Sequence, residues 1–493
     1  MRPLLVVLIA GATSSCIVGP NYVKPSTPVA PSFKEQPPPQ FKEAPGWTQG
    51  QPIDDMHRGK WWEIFGDPAL NALEEQIDVS NQNLAAAEAT YRGARAAIRV
   101  ARAGLYPTLS AGVSTLGSGS SGNLGEGAAR QQALLTVPSA SATWVPDLFG
   151  GVRRSIEANV DTAQASAGDL ENTRLLLQSE LALDYFQLHG LDAEKQLLDS
   201  TVQAYQKALD LTMNRYNQGV ASQVDVAQAQ TQLVQTEAQS TDTEVVRQQM
   251  EHAIAILLGK PPSEFSIPVA PIKSSPPAIP GMFPSELLER RPDIAANERR
   301  VAAANAQIGV AISAYYPTIS LGASGGLESS SLLSLFTWPS RFWSLGPSVS
   351  ELFYDAGRRR GITEEAQANY DVTVANYRQS VLTAFQNVED NLAALRILEQ
   401  EAIQQAQAVG YAERSLALAN AQYTGGITTY LQVITAQEIA LSNQVTEVGL
   451  RTRRMQASVS LIQALGGGWD ASQLPTSKEV TPQKVQKVSA GTK

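Results

Sequence analysis

The sequence predicts a mixed membrane protein, duplicated internally, in which each copy supplies two amphipathic β-strands and one very long helical hairpin. Three observations predict it. The segment GLYPTLSAGVS (104–114) returns as AYYPTISLGAS (314–324). No proline appears from Val152 to Lys260, which leaves room for helical arms on the order of 40–65 residues, roughly 60–95 Å, where ordinary helices average about a dozen residues. Finally, four half-apolar strands neither stand alone in lipid, where unpaired edges are costly, nor close a barrel, which needs about eight strands at least. Several chains must therefore pool their strands.

Residues 1–15 read as a lipoprotein signal peptide: Arg2, the apolar run PLLVVLIAGA, then small residues up to Cys16. Thr13 stands where such signals usually carry Leu. Cys16 is the one cysteine, so no intrachain disulfide forms, and its position marks it as the residue that takes a covalent lipid. No other segment offers the ~20 apolar residues of a membrane helix.

Residues 16–60 are crowded with proline and predict an extended collar segment. Residues 61–260 form the first repeat. It begins with helical spacing from Trp61 to about Ala103, which Tyr106-Pro107 stops. Leu109, Ala111 and Val113 then alternate with Ser110, Gly112 and Ser114, and Ala140, Ala142 and Trp144 with Ser139, Ser141 and Thr143. Period two with one apolar and one small polar side is a strand between two environments. GSGSSGNLGEGAARQQ between them predicts a flexible loop.

The helical hairpin that follows breaks near Gly219. Leu181, Tyr185 and Leu188, then Leu198, Val202, Tyr205 and Leu209, keep the three- and four-residue steps of a coiled coil. A proline-rich connector covers 261–284, the second repeat 285–467, and a polar tail 468–493. In the second repeat Tyr316 repeats Tyr106, Glu298 repeats Glu88, Ile308 repeats Ile98 and Val310 repeats Val100, all 210 residues on. Leu352-Phe353 matches Leu148-Phe149, and Gly426 matches Gly219. Ile319, Leu321 and Ala323, then Trp343, Leu345 and Val349, repeat the strand alternation. Trp144, Trp338, Trp343, Tyr106 and Tyr316 fall near strand ends, where interfacial aromatics belong.

A net charge of −9 argues against nucleic acid as a partner. GSGSSG (117–122) and GASGG (322–326) imitate nucleotide-binding and nucleophile motifs, but neither is followed promptly by a helix. His57, His189 and His252 are too scattered for metal-ligand spacing and read as surface or packing residues. No cluster of His, Cys or carboxylates converges as an enzyme requires, so no catalytic site, metal or cofactor is expected.

Cys16 followed by IVGPNYVKP, WWEIFGDPALNAL (61–73), LLERRPDIAANERRVAAANAQIGVA (287–311), the two YPT strand starts and the paired GV/GI turns occur in this order along the chain. Together they resemble the TolC-type outer-membrane efflux channels, in their lipoprotein branch, over essentially the whole mature chain. The resemblance implies a homotrimer: a 12-stranded transmembrane β-barrel with four strands per chain, continued by a long α-helical coiled-coil barrel in the periplasm. It implies S-diacylglycerol and N-acyl groups on Cys16, anchorage in outer-membrane lipid, a periplasmic adaptor protein and a proton-driven inner-membrane pump. It places the adaptor-contact tips at Asn217, Gln218, Gly219, Val220, Thr424, Gly425, Gly426 and Ile427. The periplasmic aperture falls at Asp225, Tyr430, Gln432 and Thr435. Relatives often carry aspartates just after the second tip; Gln432 and Thr435 stand there instead, and Tyr430 is expected to form the constriction. The implied function is passive conduction of drugs and toxic solutes out of the cell. Two alternatives stay open: a pore-less coiled-coil envelope tether, and a secretion duct for peptides or proteins.

Overall fold

The computed structural model describes residues 17–27, 32–35, 60–119, 132–272, 276–277 and 287–481. The signal segment, Cys16 and His57 lie outside the described residues.

The first repeat opens with a 3₁₀ turn, Trp61–Phe65, closed by Gly66 at φ 62°. Where the sequence predicts one helix, two form: α1 (Pro68–Ser80) and α2 (Gln82–Ala103). Asn81 causes the break. Its backbone is extended, its side chain caps the Leu84 N–H, and its amide donates 2.7 Å to the Leu257 carbonyl. Strands β1 (Thr108–Gly119) and β2 (Gln132–Trp144) follow, then α3 (Gly151–Asn217) and α4 (Gln223–Leu257). The second repeat gives α5 (Pro292–Ser313), β3 (Thr318–Leu327), β4 (Arg341–Ser350), α6 (Arg358–Thr424) and α7 (Tyr430–Ala464). The hairpin arms are 67 and 35 residues in both copies, about 100 and 50 Å at 1.5 Å per residue.

The strands outrun their expected lengths. Gly117–Gly119 and Gln132, read as loop, pair with each other's strand: Gly119 lies opposite Gln132. An antiparallel ladder takes any residue whose N–H and C=O fall in register, and polarity does not exclude it. The sheet runs β1-β2-β3-β4, entirely antiparallel.

The helices repeat that order. α4 ends against the start of α2 through Asn81 and Ser80, whose hydroxyl donates to the Leu258 carbonyl. α7 ends against the start of α5, where Arg291 donates 2.8 Å to the Ala464 carbonyl. These two stacked columns flank α3, and α6 packs on the α5/α7 column. Column order therefore follows strand order: α2/α4, α3, α5/α7, α6. The main core lies where both copies meet, with Trp62, Phe65, Leu181, Phe186, Ile254, Val459 and Ile462 buried together. Of the coiled-coil positions, Leu181, Tyr185, Leu188, Leu198, Tyr205 and Leu209 are buried and Val202 is half-buried.

One expected equivalence is corrected. Thr143 and Ser350 take the same place in their hairpins, opposite Thr108 and Thr318. Gly150 and Gly357 both precede a 67-residue helix, at φ 84° and 86°. Both pairs are 207 residues apart, so Leu352-Phe353 does not occupy the place of Leu148-Phe149. The turn into the helix is set by a carboxylate: Asp147 accepts from the Val152 and Arg153 N–H groups, and Asp355 from those of Gly357 and Arg359.

The collar segment straps the helices together. Gly19, at φ 94°, lies so close to Gly309 that a Cβ on Gly19 would fall 2.4 Å from the Gly309 Cα. Buried Arg154 donates to the Val18 carbonyl (3.0 Å), the Gly19 carbonyl (3.2 Å) and Asn21 Oδ1 (3.2 Å). Tyr22 donates to Glu298, Arg378 to the Ser26 carbonyl, and Arg396 binds Glu35. The strap thus runs from the end of the sheet down α6. Arg154→Ala leaves three part-buried acceptors without their donor and is expected to cost about 1–3 kcal/mol. Limited proteolysis should then cut within residues 17–35, while Arg360→Ala, an exposed pair with Glu364, should leave them protected; equal protection in both variants refutes the strap.

Candidate functional site

Two regions lack an internal structural explanation: the faces of the sheet and the tips of the hairpins.

Register sorts the sheet into two chemistries. Leu109, Ala142, Ala323 and Leu345 form one row across all four strands, and Ala111, Ala140, Gly325 and Trp343 the next. The opposite face carries serine rows: Ser110 to Ser141 at 2.7 Å, Ser324 to Ser344 at 2.8 Å and Ser320 to Ser348 at 2.7 Å. Leu109, Val113, Trp343, Leu345 and Val349 are each more than two-thirds exposed. Water does not leave such a band uncovered in a stable fold. The other face, of Ser, Gly and Thr, suits water and leaves space beside it. Among the described residues, outer strands β1 and β4 each keep one unpaired edge. Tyr316 stacks on Phe149 at 4.7 Å, and Trp144 donates to the Leu105 carbonyl, both at the helix end of the sheet.

The two tips are built alike. After α3, Gly219 at φ 74° lets its N–H reach the Tyr216 carbonyl and the Val220 N–H reach that of Arg215. After α6, Gly426 at φ 74° does the same with Tyr423 and Gln422. This is the glycine stop that ties off the last carbonyls of a helix. All eight predicted tip residues are exposed: Asn217, Gln218, Gly219, Val220, Thr424, Gly425, Gly426 and Ile427. Each tip presents one apolar side chain at the same position, Val220 and Ile427.

The aperture residues divide. Gln432 and Thr435 are exposed on the first turns of α7. Asp225 is committed to a capping box: its carboxylate accepts from the Ser222 N–H (3.0 Å), while the Asp225 N–H donates to Ser222 Oγ (3.2 Å). Its counterparts Thr429 and Gln432 form no such box. The expectation that Tyr430 forms the constriction is corrected. Its ring is 2% exposed, packed with Tyr205, Leu209, Leu233 and Val433 and 5.2 Å from Tyr423. A phenol at a helix start so close to the tip is buried because the hairpins close over it. The sequence reading missed Arg215. It donates to the Thr424 carbonyl (3.1 Å) and stacks 4.7 Å over the Tyr423 ring, tying one tip to the other. Only the packing reveals this, since the two residues are 208 positions apart.

The sequence profile of the outer membrane efflux proteins matches residues 73–260 and 283–467, which are the two repeats. The chain belongs to the outer membrane efflux protein family. It is 32% identical over 471 residues to outer membrane protein OprJ of Pseudomonas aeruginosa, covering 94% of this chain and 95% of that one. It is 30% identical over 462 residues to the probable efflux pump outer membrane protein TtgC of Pseudomonas putida, covering 92% and 93%. Its fold is similar to the solved outer-membrane channel OprN, with a TM-score of 0.82 at 28% identity over 92% of this chain and 100% of that one. The protein is thus an outer-membrane efflux protein whose helices extend into the periplasm, and its family comprises channels rather than enzymes.

Burial, with the neighbouring Tyr423 next in weight, pushes the Tyr430 phenol up to about 12. Its folded value lies above the free value near 10, so the packed tip is fully stabilised below pH 10 and loses that support as pH rises through about 12. A nitroxide placed at Ile427 should gain mobility over that window, and Tyr430→Phe should shrink the gain. Unchanged mobility to pH 12 in the wild type means that Tyr430 does not hold the tip.

Proposed function

We infer that this chain is the outer-membrane duct of a tripartite efflux system, passively conducting small toxic solutes from an inner-membrane pump and a periplasmic adaptor to the outside. The observation that carries this reading is the two-faced, open-edged sheet continued by helices of about 100 Å. A pore-less tether has no use for four strands that are apolar on one side and serine-lined on the other. The name of TtgC, a probable efflux pump outer membrane protein, supports the same role, as does the channel fold of OprN.

Three chains would close a barrel of twelve strands, an even number of the kind such barrels use, and the internal duplication supplies the register of the joint. Inside one chain, β2 meets β3 with Ser141 opposite Ser324 and Ala142 opposite Ala323. Advancing β2 by 207 residues gives β4, and setting β3 back by 210 gives β1. Ser348 would then face Ser114 of the next chain, and Val349 would face Val113. Like meets like: a serine pair falls on the polar face and a valine pair on the apolar one. The collar begins beside Gly150, at the helix end of the sheet, because Ile17 lies against that glycine. A lipid on Cys16 would therefore enter the membrane at the barrel's periplasmic rim.

The tips, with Val220 and Ile427 exposed on them, offer the adaptor two equivalent helical hairpins per chain. Opening would spread the α7 ends that carry Gln432 and Thr435, which the Arg215 tie to Thr424 opposes.

Two measurements test this. Paired cysteines Ser114→Cys with Ser348→Cys, or Val113→Cys with Val349→Cys, should join neighbouring chains, since one of two adjacent pairs is always the close kind. Ser114→Cys with Gly346→Cys, two residues out of register on the same face, should not; equal crosslinking of all three pairs defeats the register. In planar bilayers the purified protein should conduct, and Gln432→Asp should raise cation preference several-fold. A preparation that never conducts argues for the tether.

A further inference from the structure

The lipid-facing row of β4 ends in a charge. Going outward from the helix end, alternate residues on that face are Val349, Pro347, Leu345, Trp343 and then Arg341. Arg341 lies nine residues from Ser350, about 30 Å along a strand, or roughly 23 Å of height at a tilt near 40°. That matches the far rim of an apolar band about 25 Å tall.

Three features show that Arg341 is held there. Its guanidinium lies 3.5 Å over the Trp338 ring, a stacked arrangement that orients the plane of the fork. Trp338 opens a 3₁₀ turn directly before β4. The loop before it is braced: Thr337 Oγ1 donates to the Ser334 carbonyl (2.6 Å), Ser340 Oγ donates to the same carbonyl (2.7 Å), and Leu335 is buried.

Yet among the described residues Arg341 makes no ion pair and no hydrogen bond from its side chain. Leu327 is its cross-strand partner, and Glu328 falls by alternation on the other face. In the segment that leads into β4, Leu333, Phe336 and Trp338 are at least three-quarters exposed. An oriented, unpaired guanidinium inside an exposed apolar rim calls for an anion that itself carries hydrocarbon.

We propose that Arg341 and Trp338 form a binding site for the phosphate of a lipid headgroup in the outer leaflet. Leu333 and Phe336 enter the acyl region beside it. The guanidinium offers paired N–H donors to phosphate oxygens, and its methylene stem runs along the apolar surface toward the headgroup level. The inference rests on the barrel reading above, because only that places this rim in a membrane.

The test uses the purified full-length protein in nonionic detergent, titrated with diphosphoryl lipid A, with bound lipid counted by native mass spectrometry. Arg341→Gln should weaken binding about tenfold, the loss of one or two charge-assisted bonds. Arg341→Lys, which keeps the charge and loses the fork, should weaken it less, and Trp338→Leu several-fold. Fully dephosphorylated lipid A should bind the wild type no better than diphosphoryl lipid A binds Arg341→Gln. Equal binding by wild type and Arg341→Gln overturns the proposal. So does saturation by inorganic phosphate at the same concentration, which would indicate a small-anion site. Weakened subunit association in Arg341→Gln with unchanged lipid binding assigns the residue to the joint between chains, and also overturns it. Bilayer conductance of the same samples separates the two levels: absent conductance in the wild type counts against the duct itself, whereas normal conductance without a lipid difference counts only against this site.

Discussion

Hydrocarbon offers no hydrogen bonds, and the architecture follows from that constraint. A backbone N–H or C=O left open in lipid costs several kcal/mol, and a four-stranded sheet has two edges full of them. β1 and β4 are those edges. Among the described residues no further strand is left to satisfy them, because the order β1-β2-β3-β4 already uses all four. The ring of copies proposed above would pair both edges, and the serine rows on one face and the Leu/Ala/Trp rows on the other would give it an inside and an outside.

The helices carry the same imbalance. α3, in the middle, buries 26 of its 67 residues, while α6, its counterpart by duplication and equal in length, buries 8. α5 buries 12 of 22 residues and α2 only two of 22. Sequence chemistry does not account for this, since both copies carry similar helical patterns. Position does: α3 and α5 have neighbours on both sides within the chain, whereas α2 and α6 are flanks. The internal duplication makes one joint between repeats, and the joints proposed between chains repeat its pattern.

At the far end, duplication has been allowed to drift. Ser222 and Asp225 lock the first turn of α4, while Thr429 and Gln432 leave the first turn of α7 without a side-chain cap. A capped start is typically stabler by about 1 kcal/mol. The two hairpins therefore share a shape and differ in stiffness. The α7 start is held instead by its neighbours, through buried Tyr430 and the Arg215 contact with Tyr423 and Thr424. A joint made of tertiary contacts opens without unravelling a helix.

Much of this was legible in the chain itself. Alternation of Leu109 to Ser114 fixed both faces of a strand, since side chains in a strand can only alternate. The absence of proline across more than a hundred residues fixed the long helices, and glycines 219 and 426 fixed their turns, because a left-handed residue favours glycine. Local rules decide these features, so local sequence shows them. Other features needed the fold. Asn81 breaks a helix that its neighbours favour because the Leu257 carbonyl arrives from 176 residues away. Tyr430 is interior, and Arg215 spans two tips, only because separate hairpins converge on them. Contacts between distant segments leave no periodic trace in a sequence, and only the folded chain brings them together.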